Sequence, residues 1–113
     1  MNGAAKQLAD DVVMLNPATD DPVVGKEAVG AALRAVEEVC DEFRHTHLLM
    51  DVSTGQTPLF GLVFEAKIGD ATLRGVDLVE LDQNDRIRSF TVQARPMSAL
   101  MALGARMSGR EQP

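Results

Sequence analysis

Three turn signals in the second half of the chain, each about a strand's length from the next, constrain the fold more than any other feature. Gly55-Gln56, Gly69-Asp70 and Gln83-Asn84-Asp85 separate the segments 44–53, 58–68, 71–81 and 86–95. Gly-Asp and Asn-Asp close tight hairpins, so these segments predict an antiparallel meander. Within them apolar residues recur at every second position. Phe60, Leu62, Phe64, Ala66 and Ile68 line one face of their strand, and Phe90, Val92 and Ala94 line one face of theirs. The third segment breaks the rule. Asp77 falls on the same face as Leu73, Gly75, Val79 and Leu81. A carboxylate in an apolar row is costly unless it is paired, hydrogen-bonded or protonated. The pattern therefore points to a buried acid and a pocket around it.

The first half is shorter in strands. Residues 2–9 predict a short helix and Asp10 to Leu15 a strand. Asn16 to Pro22 is dense in turn formers and predicts a loop. After Val23-Val24-Gly25 comes a helix whose apolar stripe is Val29, Ala32, Leu33, Val36, Val39, Cys40 and Phe43, with Lys26, Arg34, Glu37, Glu38 and Asp41 outside. Pro96 fits the first turn of a last helix. Met97, Leu100, Met101, Leu103 and Met107 form its apolar side, and Ser108 to Pro113 a polar tail. The whole is one α+β domain over 1–113: a curved antiparallel sheet wrapped around one main helix.

Composition sets the limits. The chain has 113 residues, enough for one core and too few for two. A net charge of -6 argues against nucleic acid and anionic membranes, which select basic surfaces. No apolar run approaches the roughly 20 residues of a membrane span, and the N-terminus lacks a signal-peptide pattern. The single Cys40 forbids an intrachain disulfide and fits the cytoplasm. It lies on the helix's apolar stripe, as a small buried hydrophobe rather than a nucleophile. With no Tyr and no Trp, no mechanism here uses a phenol or an indole.

Four stretches carry a resemblance: Leu8-Ala9-Asp10-Asp11-Val12-Val13, Val24-Gly25-Lys26-Glu27-Ala28-Val29, Gly75 to Asp82, and Asp85-Arg86-Ile87-Arg88-Ser89-Phe90. In this order and spacing the chain resembles the nuclear transport factor 2-like superfamily, above all its SnoaL-like members. The resemblance implies a cone with a deep apolar pocket between sheet and helices, and a homodimer. It also implies two leading helices; about nine residues precede Asp10 here, so the first helix is short or missing. Either the gene product is truncated, or a partner subunit supplies the cover, or the pocket is open. The superfamily holds ketosteroid isomerases, epoxide hydrolases, polyketide cyclases, dehydratases and association domains, so the fold does not choose among them.

Residue by residue, the resemblance to ketosteroid isomerases puts Asn16, before Pro17, where the general base stands. Asn has no basic form at neutral pH. Asp77 falls where a protonated Asp donates to an oxyanion, an acid kept neutral by an apolar site. The tyrosine of that trio is absent. The epoxide hydrolases match at Asn16 alone, with Met14 in the place of a Tyr and Val92 in that of an Asp. SnoaL-type cyclases use an Asp/His arrangement, and His45 and His47 match no motif of theirs. These two histidines alternate on one strand face, a spacing that can share a metal, but no third ligand follows.

The expectation is therefore a pocket for a small hydrophobic, oxygen-bearing molecule, with no cofactor and no metal. Asp77 serves as acid and Asn16 as its polar companion, with Phe60, Leu62, Phe64, Val79, Phe90, Val92 and Ala94 as ligand-binding walls. The bland reading of Asp77 is a structural bond to Arg95, Arg74 or Asn16; that of Asn16 is a turn residue. Arg95 is a candidate cation at the pocket mouth. Whether the protein is an enzyme stays open. The alternative is a ligand-binding or dimerisation module that pairs through a convex face of Val76, Leu78, Ser89, Thr91 and Gln93.

Overall fold

The structure is a computed structural model and describes residues 7–51 and 58–111. Its elements are β1 (Leu8–Leu15), β2 (Val23–Val24), α1 (Lys26–Val39), β3 (Glu42–Met50), β4 (Leu59–Ile68), β5 (Ala71–Leu81), β6 (Ile87–Arg95) and α2 (Met97–Glu111). They form one six-stranded sheet in the order β2-β1-β6-β5-β4-β3. The meander β3 to β6 is antiparallel throughout. β1 joins it parallel to β6, so the curved sheet is mixed rather than wholly antiparallel. No helix among the described residues is long and apolar enough to cross a membrane.

The turns form as their residues require. Gly69 has φ +59° in the β4–β5 hairpin, where any side chain is strained. At the next turn Asp85 takes φ 61°, and the Asp82 carboxylate accepts from the backbone N–H of Asn84 and Arg86. The Gly55-Gln56 turn lies outside the described residues, as do residues 2–6 of the first predicted helix. Leu8 and Ala9 of that segment start β1 instead and are buried, because their apolar side chains meet the sheet core.

Two clusters hold the fold. One packs Val29 and Leu33 of α1 onto Leu8, Val12, Val79, Ile87 and Phe90. Val29 is fully buried, a gain of about 1.5–3 kcal/mol. The other packs Ala99 of α2 onto Phe64, Ala66, Ile68 and Leu73. Gly75 makes this packing feasible. A Cβ there would meet the Gln93 carbonyl oxygen, and would lie 2.9 Å from both the Ala94 Cα and the Phe64 ring. The Phe64 ring in turn stacks on Phe43 at 5.3 Å.

Four sequence expectations are corrected. α1 ends at Val39, so Phe43 belongs to β3 rather than to the helical stripe. α2 runs on to Glu111 through the expected polar tail. Its inner face differs in part: Leu100, Leu103 and Met107 face inward as expected, but Ala99 is its buried residue and Met97 and Met101 are each 69% exposed. Finally, β3 shifts register between His45 and His47. His45 pairs with Phe64 and His47 with Val63, neighbours on opposite faces of β4. The two histidines therefore do not share a face, because a bulge adds one residue between them.

Candidate functional site

Between the two clusters lies a cavity of about 250 Å³. The sheet contributes Phe64, Leu73, Asp77, Phe90, Val92 and Ala94 as its floor. α1 roofs it with Ala32, Leu33 and Val36, and α2 with Leu100, Leu103, Gly104 and Met107. That last set is spaced i, i+3, i+4, i+7, one face of a helix. The loop after β1 brings Asn16, Pro17 and Ala18 to the wall. A clasp fixes α2 over the site. Arg106 donates to the Val39 carbonyl at 2.7 Å and to the Asp41 carboxylate at 2.9 Å. Asp41 also accepts from the Gly69 N–H, and these bonds hold its carboxyl below the usual carboxylate range.

Asp77 is the buried charged or polar residue of the described core, at 4% exposure. Burial among apolar neighbours pushes its carboxyl up to about 7. The partners suggested by sequence are elsewhere. Arg74 pairs with Arg95 across the β5–β6 ladder, on the opposite face from Asp77. There Arg74 binds Glu65 at 2.9 Å. Arg95 is thus no cation at the pocket mouth. Asn16 uses its side-chain oxygen to accept from the Ala18 N–H at 3.0 Å, so it is a turn residue that also lines the cavity.

The neighbour of Asp77 is His45. Its Nε2 lies 3.8 Å from Asp77 Oδ2, too long for a hydrogen bond. The imidazole stands edge-on to Phe43, with centroids 5.4 Å apart. Desolvation lowers its pKa from 6.5. Burial favours the neutral form of both groups, raising the carboxyl and lowering the imidazole. Desolvation thus works against a charged pair here. The contact sets an acid and a base side by side.

His45 faces a second depression. This groove, of about 310 Å³, is more open and is lined by Leu48, Phe60, Leu62, Val79, Leu81 and Ile87, with Gln7 at its edge. Phe90 borders both spaces. The ligand-binding walls expected from sequence thus divide. Phe64, Phe90, Val92 and Ala94 line the cavity, whereas Phe60, Leu62 and Val79 line the groove. Sequence reasoning foresaw both helices but named none of their residues as walls, and it missed the Asp77–His45 approach. The bulge hid the latter, since it leaves His45 alone on the concave face.

No protein-family profile matches the chain, and no curated protein does. Solved structures do. A steroid delta-isomerase from Pseudomonas aeruginosa is 33% identical, with a TM-score of 0.84 over 96% of this chain and 77% of that one. An uncharacterised bacterial protein with a cystatin-like fold, from Silicibacter pomeroyi, is 31% identical, with a TM-score of 0.83 over 95% and 72%. A protein named as a SnoaL-like polyketide cyclase, from Shewanella denitrificans, shares the fold at 18% identity and a TM-score of 0.62, over 89% and 82%. The element order, the cone of sheet and helices and this identity agree, and the chain belongs to the nuclear transport factor 2-like superfamily.

Proposed function

We propose that the protein binds a small hydrophobic, oxygen-bearing molecule in the cavity and transfers a proton to or from it, with Asp77 as the acid. The observation that carries this reading is a carboxyl 4% exposed in an apolar wall and poised near pH 7. A general acid works best when its pKa lies near the operating pH. A neutral carboxyl can donate to a carbonyl, hydroxyl or epoxide oxygen and stabilise the charge that develops there. His45, 3.8 Å away and pushed by desolvation toward its neutral form, is the base that takes up or returns the proton. Asn16 offers its amide N–H groups to orient the ligand, its oxygen being committed to the turn.

The reaction class is isomerase, cyclase or hydrolase. Steroid isomerisation itself is disfavoured, although a relative bears that name. Asn16 stands where the resemblance places the base, and no tyrosine exists to complete the oxyanion site. The test is a side-chain carbon NMR titration of Asp77, assigned with Asp77→Asn, alongside ligand screening with phenols, ketones and lactones. A midpoint near 7, and binding that weakens in Asp77→Asn, support the reading. A midpoint at or below the ordinary value of about 3.9, or binding indifferent to the variant, sinks it.

A second reading, an association module, is favoured by the convex face. Leu15, Val24, Leu49 and Leu59 are 45%, 60%, 54% and 39% exposed, and the strand registers put them on the side away from the cavity. Such apolar exposure suits a homodimer through the sheet, with Val76 and Leu78 at its centre. A monomer in sedimentation at micromolar concentration would count against it.

A further inference from the structure

We propose that the cavity and the groove are two halves of one binding site, and that its ligand is an elongated apolar molecule carrying its oxygen at mid-length. This rests on the reading of Asp77 given above and adds the shape of the ligand to it. Asp77 belongs to the cavity wall and His45 to the groove wall. Their side chains are 3.8 Å apart, so the pair stands where the two spaces meet. Phe90 is shared by both. On either side of this polar point the walls are apolar: Leu33, Leu73 and Leu103 in the cavity, Leu62, Val79 and Ile87 in the groove.

At about 250 Å³ the cavity alone falls short of the roughly 300–1,000 Å³ of most small-molecule sites. A ligand confined to it would leave His45 uncontacted. One confined to the groove would leave the buried acid idle. A molecule that spans both halves buries apolar surface on each side and sets its oxygen against the acid and the base together.

Two isomeric alcohols test this. Diphenylmethanol carries its hydroxyl between two rings, and para-phenylbenzyl alcohol carries it at one end. Each is titrated into the methyl-labelled protein by NMR. Diphenylmethanol is expected to move methyl signals of Leu73 and Leu103 in the cavity and of Leu62, Val79 and Ile87 in the groove. It is expected to bind on the order of tenfold more tightly than its isomer, the worth of about one hydrogen bond. Leu48 is 59% exposed at the groove, so Leu48→Trp narrows the groove without touching the core. That variant should erase the preference. Equal affinities, shifts confined to the cavity methyls, or a preference that survives Leu48→Trp overturn the two-half site. If cavity-only binding still weakens in Asp77→Asn, the acid reading stands while this one falls. If neither alcohol binds, both fall.

Discussion

At the scale of single residues, the protein is governed by an acid placed where its charge is unwelcome. The sign of the resulting pH dependence follows from the direction of the shift. Asp77 is raised from 3.8 to about 7 in the folded chain. Its neutral form favours the fold, so that contribution is complete below about pH 4 and is lost as pH climbs through 7. At about 1.4 kcal/mol per pKa unit, the loss is on the order of 4 kcal/mol. His45 is shifted the other way, so its contribution is complete above 6.5 and lost as pH falls. Urea unfolding followed from about pH 4 to 8 should show wild-type stability dropping toward the alkaline end. In Asp77→Asn that drop should vanish. A second expectation separates burial from the histidine contact. Burial is the cause of the Asp77 shift, so His45→Gln should leave the NMR midpoint of Asp77 well above its ordinary value. A return to about 3.9 would mean that the histidine, and not the apolar wall, holds the proton on.

At the scale of elements, the sequence was most readable where side-chain alternation and turn chemistry agree. The meander from β3 to β6, the face that carries Asp77 and the helix over Val29 and Leu33 all follow from period and punctuation. What escaped was whatever depends on where one element meets another. That α2 buries Ala99 and leaves Met97 and Met101 outside is set by Ala99 fitting against Phe64 and Leu73, and no pattern within the helix reveals that neighbour. The parallel pairing of β1 with β6 is a long-range choice. The Asp77–His45 approach crosses three strands and depends on a bulge that no residue type announces. Gly75 is legible in hindsight as the place where β6 and the Phe64 ring come close. Gly75→Ala should therefore cost about 1–3 kcal/mol by overpacking, read as a lower urea midpoint. The same change at Gly104, whose Cβ would meet nothing within 4 Å, should instead stabilise α2 by about 0.5–1 kcal/mol.

At the scale of the whole molecule, the fold keeps its interior divided. Two packed clusters flank a space that neither fills. An apolar cavity forfeits contacts a packed core would gain, so filling it should raise stability and abolish binding. Gly104 points the way, since it lies on the cavity side of α2 with open space beside it. Gly104→Leu should raise the thermal midpoint by a few degrees, on the scale of about 1 kcal/mol, and remove ligand-induced NMR shifts from the cavity methyls. A variant that gains stability yet still binds would place the ligand elsewhere.

The bulge in β3 has a bearing on descent. Strand residues alternate faces, so gaining or losing one residue ordinarily turns over everything beyond it. Thr46 is the exception in β3, being the extra residue between His45 and His47. A lineage that dropped it would keep His45 against the acid and Leu48 in the groove. A lineage that dropped His45 or His47 instead would change which histidine, if either, confronts Asp77. Insertions and deletions accepted in this strand should therefore gather at Thr46, and the histidine before it should travel with the acid.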